Sequence, residues 1–172
     1  IREGTLDFVL LKPIDSQFFI SLKKINPSGF LEIMLGFLLL FFCIRINQIN
    51  LNLSFLTLSL ITISCSICIL YSLWFFISTT TIWFVKTWNA IEVLRSFLYI
   101  GRFPLNSFSF SLRIFFSIFI PIAFITTIPS EVFLGLSELW KILLEVIVAT
   151  VFLITSRKFW LFALKFYSSA SS

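Results

Sequence analysis

The sequence predicts an all-α, polytopic membrane fold, and three observations carry that reading. First, the 172 residues are 59% apolar and 12% charged, about half the ~25% charge of a soluble domain. Second, residues 46–85 run for 40 positions without a charged side chain. Third, the lysines and arginines are unevenly placed: 11 of 13 fall within residues 1–29, 84–113 and 157–172. Disorder is excluded, because it needs low hydrophobicity and high charge. The whole chain reads as one membrane domain, residues 1–172.

Residues 1–29 precede the first apolar stretch. The segment REGTLDFVLLKP places Leu6, Val9, Leu10 and Pro13 near one helical face and Glu3, Asp7 and Lys12 away from it. That pattern predicts a short amphipathic helix on the membrane surface, stopped by Pro13. The chain opens on Ile1 with no initiator methionine and no basic-then-apolar signal segment. The expectation is that it continues something longer.

Four stretches approach the ~20 apolar residues that a membrane-crossing helix needs. They are residues 30–46, 53–76, 112–128 and 139–156. The first carries Glu32 close to its start. The second follows a polar linker, INQINLN, and no Gly or Pro within it allows a hairpin. The third holds Pro121 and stops at Pro129. The fourth continues into FWLFAL. Residues 84–111 between the second and third read as an interfacial amphipathic elbow, broken at Gly101 and Pro104.

The cations orient the threading. Arg2, Lys12, Lys23 and Lys24 lie in 1–29. Lys86, Arg95, Arg102 and Arg113 lie in 84–113, and Arg157, Lys158 and Lys165 lie in 157–172. Basic loops stay in the cytoplasm, so Ile1, the elbow and the tail at 157–172 are all expected there. Trp74, Trp83, Trp88, Trp140 and Trp160 fall near the span boundaries, as interface anchors do.

The absence of histidine removes Ser-His-Asp, Cys-His and HExxH chemistry from this chain. No Gly-rich phosphate loop is present, so the chain is not a P-loop ATPase and not an enzyme. Cys65 and Cys68 form a lone CxxC. A structural zinc site needs four ligands, so the pair reads as small helix-packing residues. The net charge of +5 follows from basic loops, not from nucleic-acid binding. No metal or cofactor is expected.

Within the spans, an unpaired charge costs about 2.5–3.5 kcal/mol on insertion scales. Glu32 and Arg113 sit in first turns and can snorkel. Lys141 and Glu145 stand at i,i+4 and can pair. Glu145, about two turns in, is the leading candidate for lining a polar path. Pro121 and Pro129 free backbone carbonyls that Thr126, Thr127, neighbours or water must satisfy. Two outcomes stay open there: a broken helix beside a cavity, or a helix that ends at Pro129.

Four segments together resemble a known family. IREGTLDFVLLKPIDSQFF is similar to an R-x-G-x-L-D-x-x-L-L-[RK]-P segment. GRFPLNSF and FIPIAFITTIPSEVFLG are similar to an R-x-P elbow and a P-x-A-F-[IL]-T-x-x-P stretch, and LKFYSSASS looks like the same group's terminus. The group is the bacterial ABC-2 family of permeases, the branch related to viologen exporters. The resemblance implies a six-span permease of which this chain is the C-terminal part, holding four spans. It implies an exporter in the bacterial inner membrane, its C-terminus cytoplasmic, moving a hydrophobic or amphiphilic substrate. The implied partners are a separate ABC ATPase subunit, which binds ATP and magnesium, and a second permease copy or paralogue. Arg2, Gly4, Leu6, Asp7, Leu10, Lys12 and Pro13 then fall in the element that meets the ATPase. Pro121, Thr126, Thr127, Pro129 and Glu145 are the candidates for the helix break and translocation path. A non-transporting membrane scaffold and an ion-coupled secondary carrier are the alternatives. The carrier would need paired repeats with broken helices, and no repeat is evident.

Overall fold

The computed structural model describes residues 5–23, 27–46, 52–84, 88–101, 103, 107–118 and 120–167. Arg2 and Gly4 lie outside the described residues, as do Lys24, Lys86 and Arg102.

Every regular element among the described residues is helical. Two short helices come first, α1 (Thr5–Leu10) and α2 (Ser16–Leu22). Asp15 starts α2 because its carboxylate accepts the Phe18 N–H at 3.0 Å, satisfying a donor the first turn leaves open. Then follow α3 (Pro27–Ile46), α4 (Leu53–Thr80), α5 (Trp88–Ile100) and α6 (Phe110–Ile118). A π-helical turn spans Ala123–Thr127, α7 spans Ile128–Phe133, and α8 runs from Leu139 to Leu164.

Three of these helices are long and apolar enough to cross a membrane: Gly29–Ile46 within α3, α4, and α8. At 1.5 Å per residue, the 28 residues of α4 and the 26 of α8 reach roughly 40 Å. Both outrun the expected 53–76 and 139–156. FWLFAL is the end of α8, so residues 157–164 of the expected tail are helix. The expected span at 112–128 is not one continuous helix. It divides into α6, the turn and α7, because Pro121 and Pro129 each remove a backbone donor. None of Gly29–Ile46 is buried, so α3 stands away from the rest.

α4 and α8 form the centre, and they run parallel. Ser66 meets Glu145, Phe76 meets Phe152 edge-on and Phe159 at a tilt, and Phe75 meets Trp160 edge-on at 5.3 Å. Trp83 then reaches Phe166. Contacts therefore advance in step along both helices. Small residues permit this approach: α4 buries Ser59, Thr62, Ser66, Ser72 and Thr79, and α8 buries Ala149, Ser156 and Ala163. Such residues bring helix backbones close in lipid. The hydroxyls are not left bare: Ser72 and Thr79 each donate to the carbonyl four residues back, and Ser66 has acceptors within reach.

Parallel α4 and α8 require the chain to return between them. The return is the broken segment. α7 lies beside the start of α4, where Phe133 meets Phe55 at 5.8 Å. Lys141 at the start of α8 pairs with Glu131 of α7 at 2.8 Å. Gly135 makes the turn from α7 with φ +69°, and the Leu136 N–H caps the Glu131 carbonyl at 2.8 Å.

Candidate functional site

Two polar constellations stand out against this apolar background, one at each functional candidate in the sequence.

The first fastens α2 to the ends of α4 and α8. Arg157 reaches across from α8: it donates to both carboxylate oxygens of Asp15, to Oδ1 at 3.0 Å, and to Gln17 Oε1 at 3.2 Å. Gln17 is buried and donates onward to the Tyr71 hydroxyl at 3.2 Å. Ser21 shares that hydroxyl at 2.9 Å. The Trp160 indole N–H donates to Ser16 Oγ at 3.0 Å. Beneath these bonds, Val9, Phe75 and Trp160 form a buried cluster with Phe19, Ile20, Leu164 and Tyr167 around it. The Phe18 N–H, followed by the Arg157 guanidinium, holds the Asp15 carboxyl below its ordinary range. Burial pushes the Tyr167 hydroxyl upward, and the neighbouring Asp7 carboxylate adds to the shift.

The sequence candidates in α1 meet this clamp unequally. Val9 is the inward residue, 4% exposed, while Leu10 is 41% exposed. Leu6 belongs to α1 by its backbone. Asp7 sits by Tyr167. Lys12 lies 4.3 Å over the Phe19 ring, and Pro13 follows the helix end. Trp160, expected as an interface anchor, is instead buried at 1% exposure. Trp83 and Trp140 do remain exposed, and Trp74 carries the Arg95 guanidinium over its ring.

The second constellation is at the break. Pro121 is fully buried, and its carbonyl accepts from the Phe124 and Ile125 amides. In the π-turn the hydrogen bonds lengthen by one residue, so the Ile128 N–H reaches the Ala123 carbonyl. The next bond in that register would come from residue 129, which is proline and has no N–H. The Phe124 carbonyl is therefore orphaned, and Ser66 of α4 approaches it at 3.1 Å. The same Ser66 oxygen lies 3.1 Å from Glu145 Oε1 of α8. One hydroxyl thus joins α4, the break and α8. Thr126 donates to the Ile122 carbonyl at 3.1 Å, and Ser130 donates to the Thr126 carbonyl. Thr127 leads into α7 without a side-chain cap. Glu145 does not pair with Lys141, because Lys141 is held by Glu131.

The elbow leans on the break. A Cβ on Gly101 would stand 2.8 Å from Ile122 Cγ2 and 3.4 Å from Thr126 Cγ2. Only glycine lets the end of α5 approach so closely. Between α5, α4, α8 and the break lies a crevice of about 580 Å³, lined by Leu73, Phe76, Val93, Phe97, Ile120 and Phe152 among others. A smaller one of about 240 Å³ opens beside Ser66 and Pro129. Among the described residues no group of three His, Cys, Asp or Glu side chains could hold a metal. Cys65 and Cys68 are free thiols packed in the α4–α8 core.

Sequence reasoning did not single out Asp15, Gln17, Tyr71 or Ser66, and it read Arg157 only as an orienting cation. Only Asp15 carried a local signal, as a helix-capping residue beside Ser16. The family model described as ABC-2 family transporter protein matches residues 1–171. No curated protein and no solved structure matches the chain.

Proposed function

Since this chain belongs to the ABC-2 family of transporter proteins, we propose that it is the membrane-spanning permease part of an ABC-type exporter, driven by a separate ATPase subunit. Its cargo is hydrophobic or amphiphilic, and its setting is the bacterial inner membrane with the C-terminus in the cytoplasm. The return segment from α6 to α7 is then the fourth crossing, and two permease copies or paralogues enclose the path.

The observation that carries this reading is the clamp. An ATPase closing beneath a membrane can only do work on something stiff. α1 and α2 supply a stiff element because Arg157, Trp160 and Tyr71 tie it to the ends of α4 and α8. In this reading Arg2, Gly4, Leu6, Asp7, Leu10, Lys12 and Pro13 present the ATPase-facing surface, and the clamp passes displacement into the spans. The apolar crevice touching Ile120 gives the cargo a place against the break, so that cargo and ATPase bias one two-state element. Pro121, Thr126, Thr127, Pro129 and Glu145 line its moving part.

The test is to purify the full-length protein in mild detergent and identify the chains that accompany it. A nucleotide-hydrolysing subunit is expected. Asp7→Lys should weaken its association and leave membrane insertion unchanged. Co-purification without such a subunit, or normal association of the variant, would refute the coupling role and favour a scaffold.

A further inference from the structure

Hydrogen counting at the break leads to a site that the permease reading does not contain. Around Ser66 Oγ stand the Thr62 carbonyl at 2.9 Å, the Phe124 carbonyl at 3.1 Å and Glu145 Oε1 at 3.1 Å. A serine hydroxyl has one hydrogen to give and two lone pairs to receive with. Three acceptors therefore face one donor. Thr62 O is already served within α4 by the Ser66 backbone N–H, its i−4 partner. Phe124 O is not, because residue 129 is proline. Glu145 is fully buried, and Oε2 meets no hydrogen-bond partner among the described residues.

Two assignments with a carboxylate fail. If Ser66 donates to Glu145, the Phe124 carbonyl loses the hydroxyl that approaches it at 3.1 Å, and a carbonyl left without a donor is costly. If Ser66 donates to Phe124, a charged oxygen faces the serine lone pairs at 3.1 Å with no hydrogen between them. The groups around the carboxyl do not repair this. On α8, Lys141 is engaged by Glu131 of α7. On α4 the neighbouring titratable group is the thiol of Cys65. The π-turn, Ala123–Thr127, contains no charged residue. One added hydrogen resolves the count: Glu145 Oε1–H donates to Ser66 Oγ, and Ser66 Oγ–H donates to Phe124 O.

We propose that Glu145, Ser66 and the Phe124 carbonyl form a proton-binding site, in which the proton taken up by Glu145 completes a two-link chain that fastens α8 through α4 to the proline-broken helix. The ligand is the proton itself, taken from hydronium: one O–H bond breaks there as the Glu145 O–H bond forms, and a water molecule is released. Its loss returns one acceptor too many to the cluster and loosens the break from α8. The site depends on the α4–break–α8 geometry alone and stands whether or not an ATPase drives the protein.

Infrared difference spectroscopy tests it directly. The full-length protein is reconstituted in phosphatidylcholine vesicles at neutral pH, with neither nucleotide nor cargo, so that failure here is separate from failure of the exporter reading. The carbonyl stretch of a protonated carboxylic acid should be present in the native protein and lost in Glu145→Gln. Ser66→Ala should keep the band but displace it, because the acid loses its acceptor. A native spectrum without that band relative to Glu145→Gln overturns the proposal. So does a Ser66→Ala band at the native position, and this comparison decides the matter alone if Glu145→Gln does not fold.

Discussion

Removing the Trp160 side chain should release α2 from the helix ends, whereas removing the Arg157 charge should barely loosen it. Trp160 is 1% exposed, sits edge-on to Phe75 at 5.3 Å, and donates to Ser16 at 3.0 Å. Trp160→Ala empties a filled interior position, a change that costs about 3–5 kcal/mol. Each 1.4 kcal/mol is tenfold in an equilibrium, so the docked state loses roughly two to three and a half powers of ten. Trp160→Phe keeps the ring contact and forfeits one hydrogen bond, about 0.5–1.5 kcal/mol. The Arg157–Asp15 pair is different, because both side chains are about 40% exposed. Exposed ion pairs contribute about 0–1 kcal/mol, so Arg157→Ala should fall within tenfold of the native protein. Amide hydrogen exchange across Ser16–Leu22 reads this local opening. Trp160→Ala should bring those amides near the rate of an open helix, Trp160→Phe should be intermediate, and Arg157→Ala should be close to native. If Arg157→Ala speeds exchange as much as Trp160→Ala, electrostatics and not packing holds the clamp, and the reasoning is wrong.

Three further outcomes are expected. Gly101→Val drives carbon into Ile122, already within 2.8 Å of where the first Cβ would stand, and overpacking of this kind costs about 1–3 kcal/mol; thermal unfolding should show a lowered midpoint, and an unchanged one would place the elbow away from the break. Gly135→Ala forces alanine to φ +69° at a cost of about 1–2 kcal/mol, read in the same assay. The Asp15 carboxyl titrates below its ordinary value of 3.8, so its share of clamp stability is complete above that pH and is lost as pH falls through the lower folded value. Exchange at Ser16–Leu22, corrected for intrinsic rates, should therefore be flat from neutrality down to about pH 5 and rise only in stronger acid; a rise already at pH 6 would mean that another group holds the clamp.

The long helices were legible because crossing a bilayer demands a length of apolar residues, and the run from Ile46 to Val85 supplies it in plain view. The break was legible in position, since Pro121 and Pro129 remove donors wherever they stand, but not in form. Whether the freed carbonyl ends a helix or enters a π-turn depends on a hydroxyl reaching in from α4, and Ser66 looks like every other serine of that helix. The clamp was hidden for a related reason. Asp15 and Arg157 are 142 residues apart, and Arg157 read simply as one more cation that fixes orientation. Trp160 has the composition of an interface anchor, and only the parallel packing of α4 and α8 turns it inward. The Lys141–Glu145 contact that the i,i+4 spacing allows is not made, because Glu131 offers Lys141 a partner on α7.

The parallel course of α4 and α8 has a mechanical corollary. Two rods pointing the same way and bolted together at one end rise or sink as a unit when that end is pushed, and the rings between them keep their partners. The antiparallel strut beside them cannot follow without slipping, so relative travel concentrates along α6 and α7. That strut is also where a helical ladder has already been cut twice, which makes it the piece of the machine best suited to flex.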